Sequence, residues 1–270
     1  MKRVKPTNQA MQPLFQKILS DDHTFEVVRS RFDRQILRVP ANHPGETDLF
    51  VKVYRHLGLI SRFKAGMAKT GGYHDWRICG RLYRAGLCVP QPVGRAKKPA
   101  WGMLPHKTLF AQQWISDGHP LSQLVHQKKK AGQLTEQWLG RLHDAIGEFV
   151  ATIHQQGLYP RDLHPGNVLL REPEKEEFTL ILVDYESIQK RRPYQKSKAH
   201  LNLGHICSYL DAFSPDTHER LAAAYRRVRP DRAPPDLAAK VLQVAQKHLA
   251  NRQKRMDRAF EQIAMARRKT

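Results

Sequence analysis

Hydrophobic and polar residues alternate in the first half of the chain in the manner of β-strands. Residues 25–39 place β-branched and aromatic residues on either side of a polar centre, which predicts a hairpin, and 48–54 predicts a third strand. Residues 73–85 have helical spacing and stop at Gly86, and 109–115 is strand-like again. The first part of the chain is therefore predicted to form a small sheet with one long helix.

Helical patterns dominate the second half. Thr135 can cap a long helix whose apolar residues recur every three or four positions up to Gly157. Two short strands, 167–170 and 178–183, follow, and the rest has helical patterns over 199–213, 216–228 and 236–268. This order predicts an α+β protein with two lobes. The predicted divisions are a lead-in at 1–23 that is expected to be helical, an N-lobe at 24–116 and a mainly helical C-lobe at 117–270.

Composition adds a strong positive charge to this picture. The 270 residues include 46 lysines and arginines against 25 aspartates and glutamates, a formal net charge of +21, and 40% hydrophobic residues exclude wholesale disorder. There is no apolar run of the ~20 residues that span a bilayer, and no secretory signal is expected. Three cysteines without metal-type spacing fit a reduced, cytoplasmic chain. The charge favours an anionic partner, whether nucleic acid, a membrane surface or a phosphorylated substrate.

The stretch RDLHPGN at 161–167 carries the most informative chemistry. Phosphoryl transfer requires mainly positioning and charge neutralisation, and a carboxylate such as Asp162 can orient an acceptor hydroxyl. Asn167 offers an amide oxygen, a hard ligand suited to Mg²⁺. Asp184 follows the next strand, where its carboxylate can bridge Mg²⁺ to nucleotide phosphates. Either motif occurs by chance, but the two in this order, with their flanking strands, predict a phosphotransferase.

A third element of the predicted site lies in the first half. Lys52 is the only basic residue in the alternating run 49–54, and Asp75 lies on the next predicted helix. A helix carboxylate paired with a strand lysine can aim its ammonium group at the α and β phosphates of a nucleotide. Both residues are therefore expected to serve nucleotide binding.

Four segments of the chain resemble the lipopolysaccharide core kinases in their order and spacing. They are FVKVYR, HDWRICGRLYRAGLCVPQPVG, RDLHPGNVLL and LILVDYE. These heptose and Kdo kinases have a protein-kinase-like fold, and the resemblance covers roughly 45–228. It implies an ATP- and Mg²⁺-dependent enzyme that phosphorylates a heptose or Kdo hydroxyl of the lipopolysaccharide inner core. The implied roles are catalysis for Asp162, metal binding for Asn167 and Asp184, and phosphate contacts for Lys52. Asp75 is the implied helix carboxylate that pairs with Lys52, and the adenine hinge is placed at 112–114, which includes Gln113.

The chain departs from the family pattern where a glycine-rich loop would hold phosphates. The corresponding turn, 30–35, has the sequence SRFDRQ and contains no glycine. Arg31 or Arg34 supplies charge there in place of backbone amides, or both are solvated hairpin residues; Arg34 is taken as the nucleotide contact.

Other departures lie near the catalytic residues. Asp75 is one methylene shorter than the usual glutamate, Pro160 replaces the expected histidine before Arg161, and Tyr-Glu follows Asp184. The loop DLHPGN also resembles that of aminoglycoside and choline phosphotransferases. In it, His164 either meets the transferred phosphate or packs within the loop.

The segment 188–200 contains five basic residues and no acidic one, and it follows the predicted metal ligand directly. We interpret it as a groove for an anionic lipopolysaccharide precursor, on an enzyme attached peripherally to the anionic cytoplasmic face of the inner membrane. Two alternatives stay open: a kinase of the same fold acting on a small molecule or protein side chain, and a non-catalytic basic membrane or nucleic-acid adaptor. No zinc spacing, RNP motif or zipper supports a nucleic-acid partner, and the sequence gives no indication of the oligomeric state.

Overall fold

The computed structural model describes residues 9–21, 24–41, 46–99, 104–171, 178–190, 196–210 and 216–267. Its contacts divide the chain into two compact units. The first consists of Met1–Gly118 and Ile181–Ile188, and the second of His119–Leu180 and Gln189–Thr270. The segment that carries Asp184 thus packs with the first unit, although it was assigned to the second lobe from the sequence. The lobe limits 24–116 and 117–270 stay a prediction.

A five-stranded antiparallel sheet forms the centre of the first unit, in the order β1-β2-β3-β5-β4. Strands β1 and β2 form the predicted hairpin, and β3 is the predicted third strand. Strand β4 was not predicted. Its buried positions are Pro92, Gly94 and Ala96, so the strand lacks the large apolar residues that would show an alternation of apolar and polar positions. The strands are β1 (Glu26–Arg31), β2 (Arg34–Val39), β3 (Leu49–Arg55), β4 (Pro92–Pro99) and β5 (Pro105–Gln113).

Helix α1 (Gln12–Leu19) covers one face of this sheet. Phe15, Ile18 and Leu19 are fully buried in one core cluster with Leu37, Val51 and Leu109 of the sheet. The lead-in was predicted to be helical, and its helix completes the core of the first unit.

Helix α3 (Gly71–Arg84) lies close to β5, and two glycines permit this approach. Gly71 has a φ of +71°, and a Cβ there would lie 2.6 Å from Thr108 Oγ1. A Cβ on Gly72 would lie 2.5 Å from the carbonyl carbon of Leu109. Any side chain would push the helix off the sheet, so the two glycines place Asp75, one turn later, near the sheet.

The second unit is mainly helical. Thr135 caps α5 as predicted, because its side chain accepts a hydrogen bond from the Trp138 amide at 3.1 Å. Gly147 of α5 lies so close to Ala224 of α7 that a side chain at this position would clash with it. The glycine therefore allows α5 to pack closely on α7. The helices of the second unit are α4 (Leu121–Lys130), α5 (Glu136–Gln155), α6 (Lys196–Leu210), α7 (Thr217–Val228) and α8 (Leu237–Arg267).

Short strands complete the described elements, together with one helix of the first unit, α2 (Leu59–Gly66). Neither α2 nor α4 was predicted, because both are short: α2 has 8 residues and only one of them is buried, and α4 has 10 residues and ends in three lysines. Among the described helices, none is both long and apolar enough to cross a membrane. The strands are β6 (His119–Pro120), β7 (Leu158–Pro160), β8 (Val168–Arg171), β9 (Thr179–Leu182) and β10 (Ile188–Lys190).

Candidate active site

The first unit brings Lys52 and Asp184 into direct contact. Lys52 projects from β3 and is only 3% exposed, and its Nζ donates a hydrogen bond to Asp184 Oδ1 at 2.8 Å. Burial acts to raise the pKa of Asp184, but the charge of Lys52 and its hydrogen bond outweigh that effect, so the pKa is lowered. Asp184 is therefore a carboxylate at neutral pH, held in place by a buried ammonium group.

Asp75 lies behind this pair, fully buried on α3. Its Oδ2 accepts a hydrogen bond from the Tyr54 hydroxyl at 2.6 Å and lies 3.8 Å from Lys52 Nζ. Its Oδ1 has no hydrogen-bond partner among the described residues. Burial raises the pKa of Asp75 to about 6, against the opposing effects of Lys52 and Tyr54. Lys52 is thus shared between two carboxylates, and it lies closer to Asp184 than to its predicted partner.

Arg34 reaches the same region from the start of β2. Its guanidinium forms an ion pair with Glu186 and lies 6.0 Å from the centre of the Tyr54 ring. Burial opposes the charge of Arg34, but Glu186, Tyr54 and Asp184 together raise its pKa. Sequence reasoning missed Tyr54 and Glu186. The available signal was spacing, since each follows a predicted site residue by two positions, and alternate residues of a strand such as β3 share a face.

The predicted hinge separates into two differently placed glutamines. Phe50 pairs with Gln112, two positions from the Lys52–Phe110 pair, so the Gln112 side chain lies on the face that carries Lys52. Gln112 is buried, and its Oε1 has no partner among the described residues. Gln113 projects its side chain from the opposite face, and its amide donates to the Gln91 carbonyl at 2.9 Å. On the face of the sheet that carries Lys52, Gln113 can therefore contact a ligand only through its backbone.

The second unit holds the loop with Asp162 and Asn167. The Asn167 side-chain amide donates to the backbone carbonyl of Asp162 at 3.1 Å, which closes the loop on itself. His164 Nδ1 accepts from the Gly166 amide at 3.0 Å and caps a short 3-10 turn, so His164 packs within the loop. Because the nitrogen of Asn167 is directed to the loop backbone, its oxygen is the atom suited to a metal.

Two histidines flank Asp162, whose side chain is 57% exposed, and the Tyr209 ring packs beside both of them. His164 Nε2 and His205 Nδ1 lie 3.9 Å from its two carboxylate oxygens. His205 stacks on His248 with ring centres 4.3 Å apart, and Arg252 lies over the Tyr209 ring at 5.2 Å. Burial, then the nearby His248, lowers the pKa of His205. Helix α6 supplies His205 and Tyr209, and α8 supplies His248 and Arg252; none of these four residues was predicted.

A buried network of hydrogen bonds holds the chain just before the loop that carries Asp162 and Asn167. His154 of α5 lies 2.8 Å from Asn202 Oδ1 and 3.0 Å from the Tyr225 hydroxyl. The Asn202 amide in turn donates to the carbonyl of Pro160, two residues before Asp162. Burial lowers the pKa of His154 to about 4, so the ring is neutral: Nε2 donates to Asn202 and Nδ1 accepts from Tyr225. The network was not predicted because its members are far apart in sequence.

The structure therefore arranges the predicted residues in two groups. Lys52, Asp75, Asp184 and Arg34 lie together in the first unit, whereas Asp162 and Asn167 lie together in the second. The first group can bind anionic phosphates through buried cations, and the second can orient a hydroxyl and ligate a cation.

Comparison with solved structures defines the class of fold. A structure described as "WaaP in complex with acyl carrier protein" has a TM-score of 0.66 with this chain, 18% identity, and coverage of 91% of this chain and 99% of that one. The BubR1 kinase domain has a TM-score of 0.50 and 13% identity, over 97% of this chain and 88% of that one. The fold is protein-kinase-like, which confirms the predicted fold class.

Sequence comparison then identifies the family. The family model "Lipopolysaccharide kinase (Kdo/WaaP) family" matches residues 26–225, so the chain belongs to this family and the predicted resemblance is confirmed. The 3-deoxy-D-manno-octulosonic acid kinase of Haemophilus influenzae (strain 86-028NP) is 25% identical over 131 residues, 48% of this chain. That match spans 50% of the length of this relative. Membership of a kinase family implies use of ATP and, typically, of a divalent metal.

Proposed function

We propose that the protein is an ATP-dependent kinase that phosphorylates a heptose or Kdo hydroxyl of the lipopolysaccharide inner core. The observation that carries this proposal is the buried Lys52–Asp184 ion pair, with a separation of 2.8 Å, in a chain with a kinase-like fold. Membership of the lipopolysaccharide kinase family supports the class of acceptor.

Lys52 binds the nucleotide phosphates in this proposal, and Asp75 holds its ammonium group from behind. Asp184 fits Mg²⁺ because it is an ionised, partly exposed carboxylate, and such sites commonly combine one or two carboxylates with substrate phosphates. Bound Mg²⁺ would neutralise charge on the transferred group. Asn167 is the proposed second ligand, and Gln113 contributes its backbone to the adenine side.

Arg34 substitutes for a glycine-rich loop. It follows the two-residue turn of the β1–β2 hairpin directly, and its ion pair with Glu186 holds the guanidinium near Tyr54. A guanidinium can bind phosphate oxygens with two parallel hydrogen bonds, which backbone amides would otherwise supply.

Asp162 orients the acceptor hydroxyl and accepts its proton as the reaction proceeds. The sugar oxygen bonds to the γ-phosphorus, the bond between that phosphorus and the β–γ bridging oxygen breaks, and ADP leaves. Such proton transfer contributes a factor of about 10²–10⁴ in rate. The adjacent Tyr209 ring offers a face for a sugar, and Arg252 above it offers a charge suited to the Kdo carboxylate.

We also propose that the enzyme works at the cytoplasmic face of the inner membrane, where an anionic precursor would be presented. The basic segment 188–200 motivated this proposal. Within it, 191–195 lie outside the described residues, so the support for a basic groove there is the charge of the sequence.

Mass spectrometry of a core acceptor incubated with the protein, ATP and Mg²⁺ tests the proposal. We expect a product heavier by one phosphate with the wild type and none with Asp162→Ala, which should still be stabilised against heat by nucleotide. An unchanged spectrum with heptose- and Kdo-containing acceptors would contradict the proposed acceptor. Release of ADP with another acceptor would favour the small-molecule or protein kinase instead, and absence of nucleotide stabilisation would favour the adaptor.

A further inference from the structure

Helix α2 exposes large apolar side chains to solvent. Leu59 is 74% exposed, Ile60 73% and Phe63 58%, and Met67, which caps the helix, is also exposed. Leu59, Phe63 and Met67 follow one another at four-residue intervals, so they form one stripe along the helix. A contiguous apolar patch of this kind on a protein surface commonly marks an interaction site.

The charges around this stripe are all of one sign along the chain. No aspartate or glutamate occurs between Asp48 and Asp75, whereas Lys64 and Lys69 are both exposed. Arg55, at the end of β3, is also exposed and lies 4.0 Å from Asp21. Apolar side chains bordered by lysines match the surface of an anionic bilayer, where the apolar groups enter the acyl boundary and the cations meet the headgroups.

Other residues of α2, next to the stripe, adjoin the nucleotide side of the candidate active site. A cavity of about 520 Å³ opens beside α2, with Ile60 and Lys64 on one wall. Tyr54 and Glu186, which contact Asp75 and Arg34, lie on another. A membrane contact through α2 would therefore hold the nucleotide-binding unit at the lipid surface.

We propose that α2 is the membrane-docking element of this protein, with Leu59, Phe63 and Met67 inserted into an anionic lipid surface and Lys64 and Lys69 at the headgroups. This inference rests on the proposed function in one respect only, namely that the acceptor is membrane-borne. It assigns the lipid contact to described residues of the first unit rather than to the basic segment 188–200.

Cosedimentation of the full chain with vesicles, in the absence of nucleotide, tests the inference. We expect the wild type to bind vesicles of phosphatidylcholine mixed with phosphatidylglycerol, and to bind pure phosphatidylcholine far more weakly. The combined variant Leu59→Ser, Phe63→Ser and Met67→Ser should bind the anionic vesicles at least about tenfold more weakly. Leu201→Ser with Met256→Ser, which removes exposed apolar side chains in the second unit, should bind like the wild type.

Charge variants separate the two contributions. Lys64→Gln with Lys69→Gln should weaken binding to the anionic vesicles by roughly fivefold for each lysine, whereas Lys247→Gln with Lys254→Gln on α8 should not. Wild-type-like vesicle binding by the serine variant, or equal loss in both lysine pairs, would overturn the inference.

A second measurement keeps this inference apart from the proposed function. The serine variant should phosphorylate a soluble, lipid-free core oligosaccharide as fast as the wild type, because its stripe serves docking alone. Loss of that activity in a folded variant would show that the stripe serves catalysis and would overturn the docking role. Intact vesicle binding by a wild type that phosphorylates no core acceptor would contradict the proposed function and leave the docking inference standing.

Discussion

The two regions with the predicted catalytic chemistry differ in how they treat charge. In the first unit, Lys52 and Asp75 are buried, and each charge there is compensated by another within a few ångströms. In the second unit, Asp162 is more than half exposed, and the rings of His164 and His205 lie 3.9 Å from its carboxylate oxygens. Where each buried charge has an opposite charge nearby, a highly charged ligand can take the place of one of the two partners. An exposed carboxylate such as that of Asp162 suits an acceptor that has to enter and leave the site.

The largest expected effect comes from the exposed region. Asp162→Asn should lower kcat by about 10²–10⁴ because it removes the proton acceptor. It should leave the free energy of unfolding nearly unchanged because the side chain is exposed. Steady-state kinetics and chemical denaturation together check this, with the exposed Asp231→Asn as a control that alters neither. A strongly destabilised Asp162→Asn would break the contrast between the regions.

The buried region should respond in stability as well as in function. Lys52→Met leaves two carboxylates without their cation, and removing one partner of a buried pair costs about 3–5 kcal/mol, less here because Asp184 is partly exposed. Lys107→Met is the matched control, since Lys107 is buried in the neighbouring strand and pairs with Asp21. Both variants should be destabilised, but only Lys52→Met should lose nucleotide affinity. Equal affinities would contradict the assignment of Lys52 to phosphates.

Two buried residues, Asp75 in the first unit and His154 in the second, should contribute to acid stability with opposite signs. The pKa of His154 falls from 6.5 to about 4 on folding, so the unfolded chain binds the proton first and stability is lost as pH falls through that window. The pKa of Asp75 rises from 3.8 to about 6, so the folded chain binds the proton first and this residue favours folding at the acidic end. Each effect is at most about 3–3.5 kcal/mol.

Variants that cannot titrate separate these effects. His154→Gln should flatten the loss of stability on acidification, and Asp75→Asn should steepen it, when unfolding free energies are compared across the interval between about pH 4 and 6.5. Changes of the same sign in both variants would show that burial does not set the two pKa values as described.

The smallest expected effect concerns the buried network of His154, Asn202 and Tyr225 next to the loop that carries Asp162. Asn202→Ala leaves the Pro160 carbonyl and His154 without a partner, at a cost of about 1–3 kcal/mol, and should lower kcat because the loop start is released. Ser208→Ala on the same helix removes one hydrogen bond to the His205 carbonyl and serves as control. A fall in stability with kcat unchanged would limit Asn202 to a structural role.

The predictable part of the molecule is the part that local sequence determines. Alternation in 49–54 and the spacing of Asp162 to Asn167 were visible in the sequence because they depend on neighbours along the chain. The hydrogen bond from Tyr54 to Asp75, the ion pair of Arg34 with Glu186 and the contact of His154 with Asn202 join residues 21, 152 and 48 positions apart. Such pairs depend on tertiary packing, which no local pattern specifies.

The fold followed the same rule. The β1–β2 hairpin and α5 have clear patterns and a recognisable turn or cap, and both were predicted. Strand β4 forms because β5 provides hydrogen-bond partners along its length, although its own residues are small or basic. Its existence is a consequence of the sheet and not of its sequence.

Calorimetric titration of the full chain with a non-hydrolysable ATP analogue, with and without Mg²⁺, tests the central claim most directly. The wild type and Asp162→Asn should both bind the analogue more tightly with Mg²⁺, whereas Asp184→Asn should lose that gain because the metal loses its carboxylate. Binding that does not depend on Mg²⁺, or an undiminished metal effect in Asp184→Asn, would contradict the assignment of the Lys52–Asp184 pair to a metal–nucleotide complex.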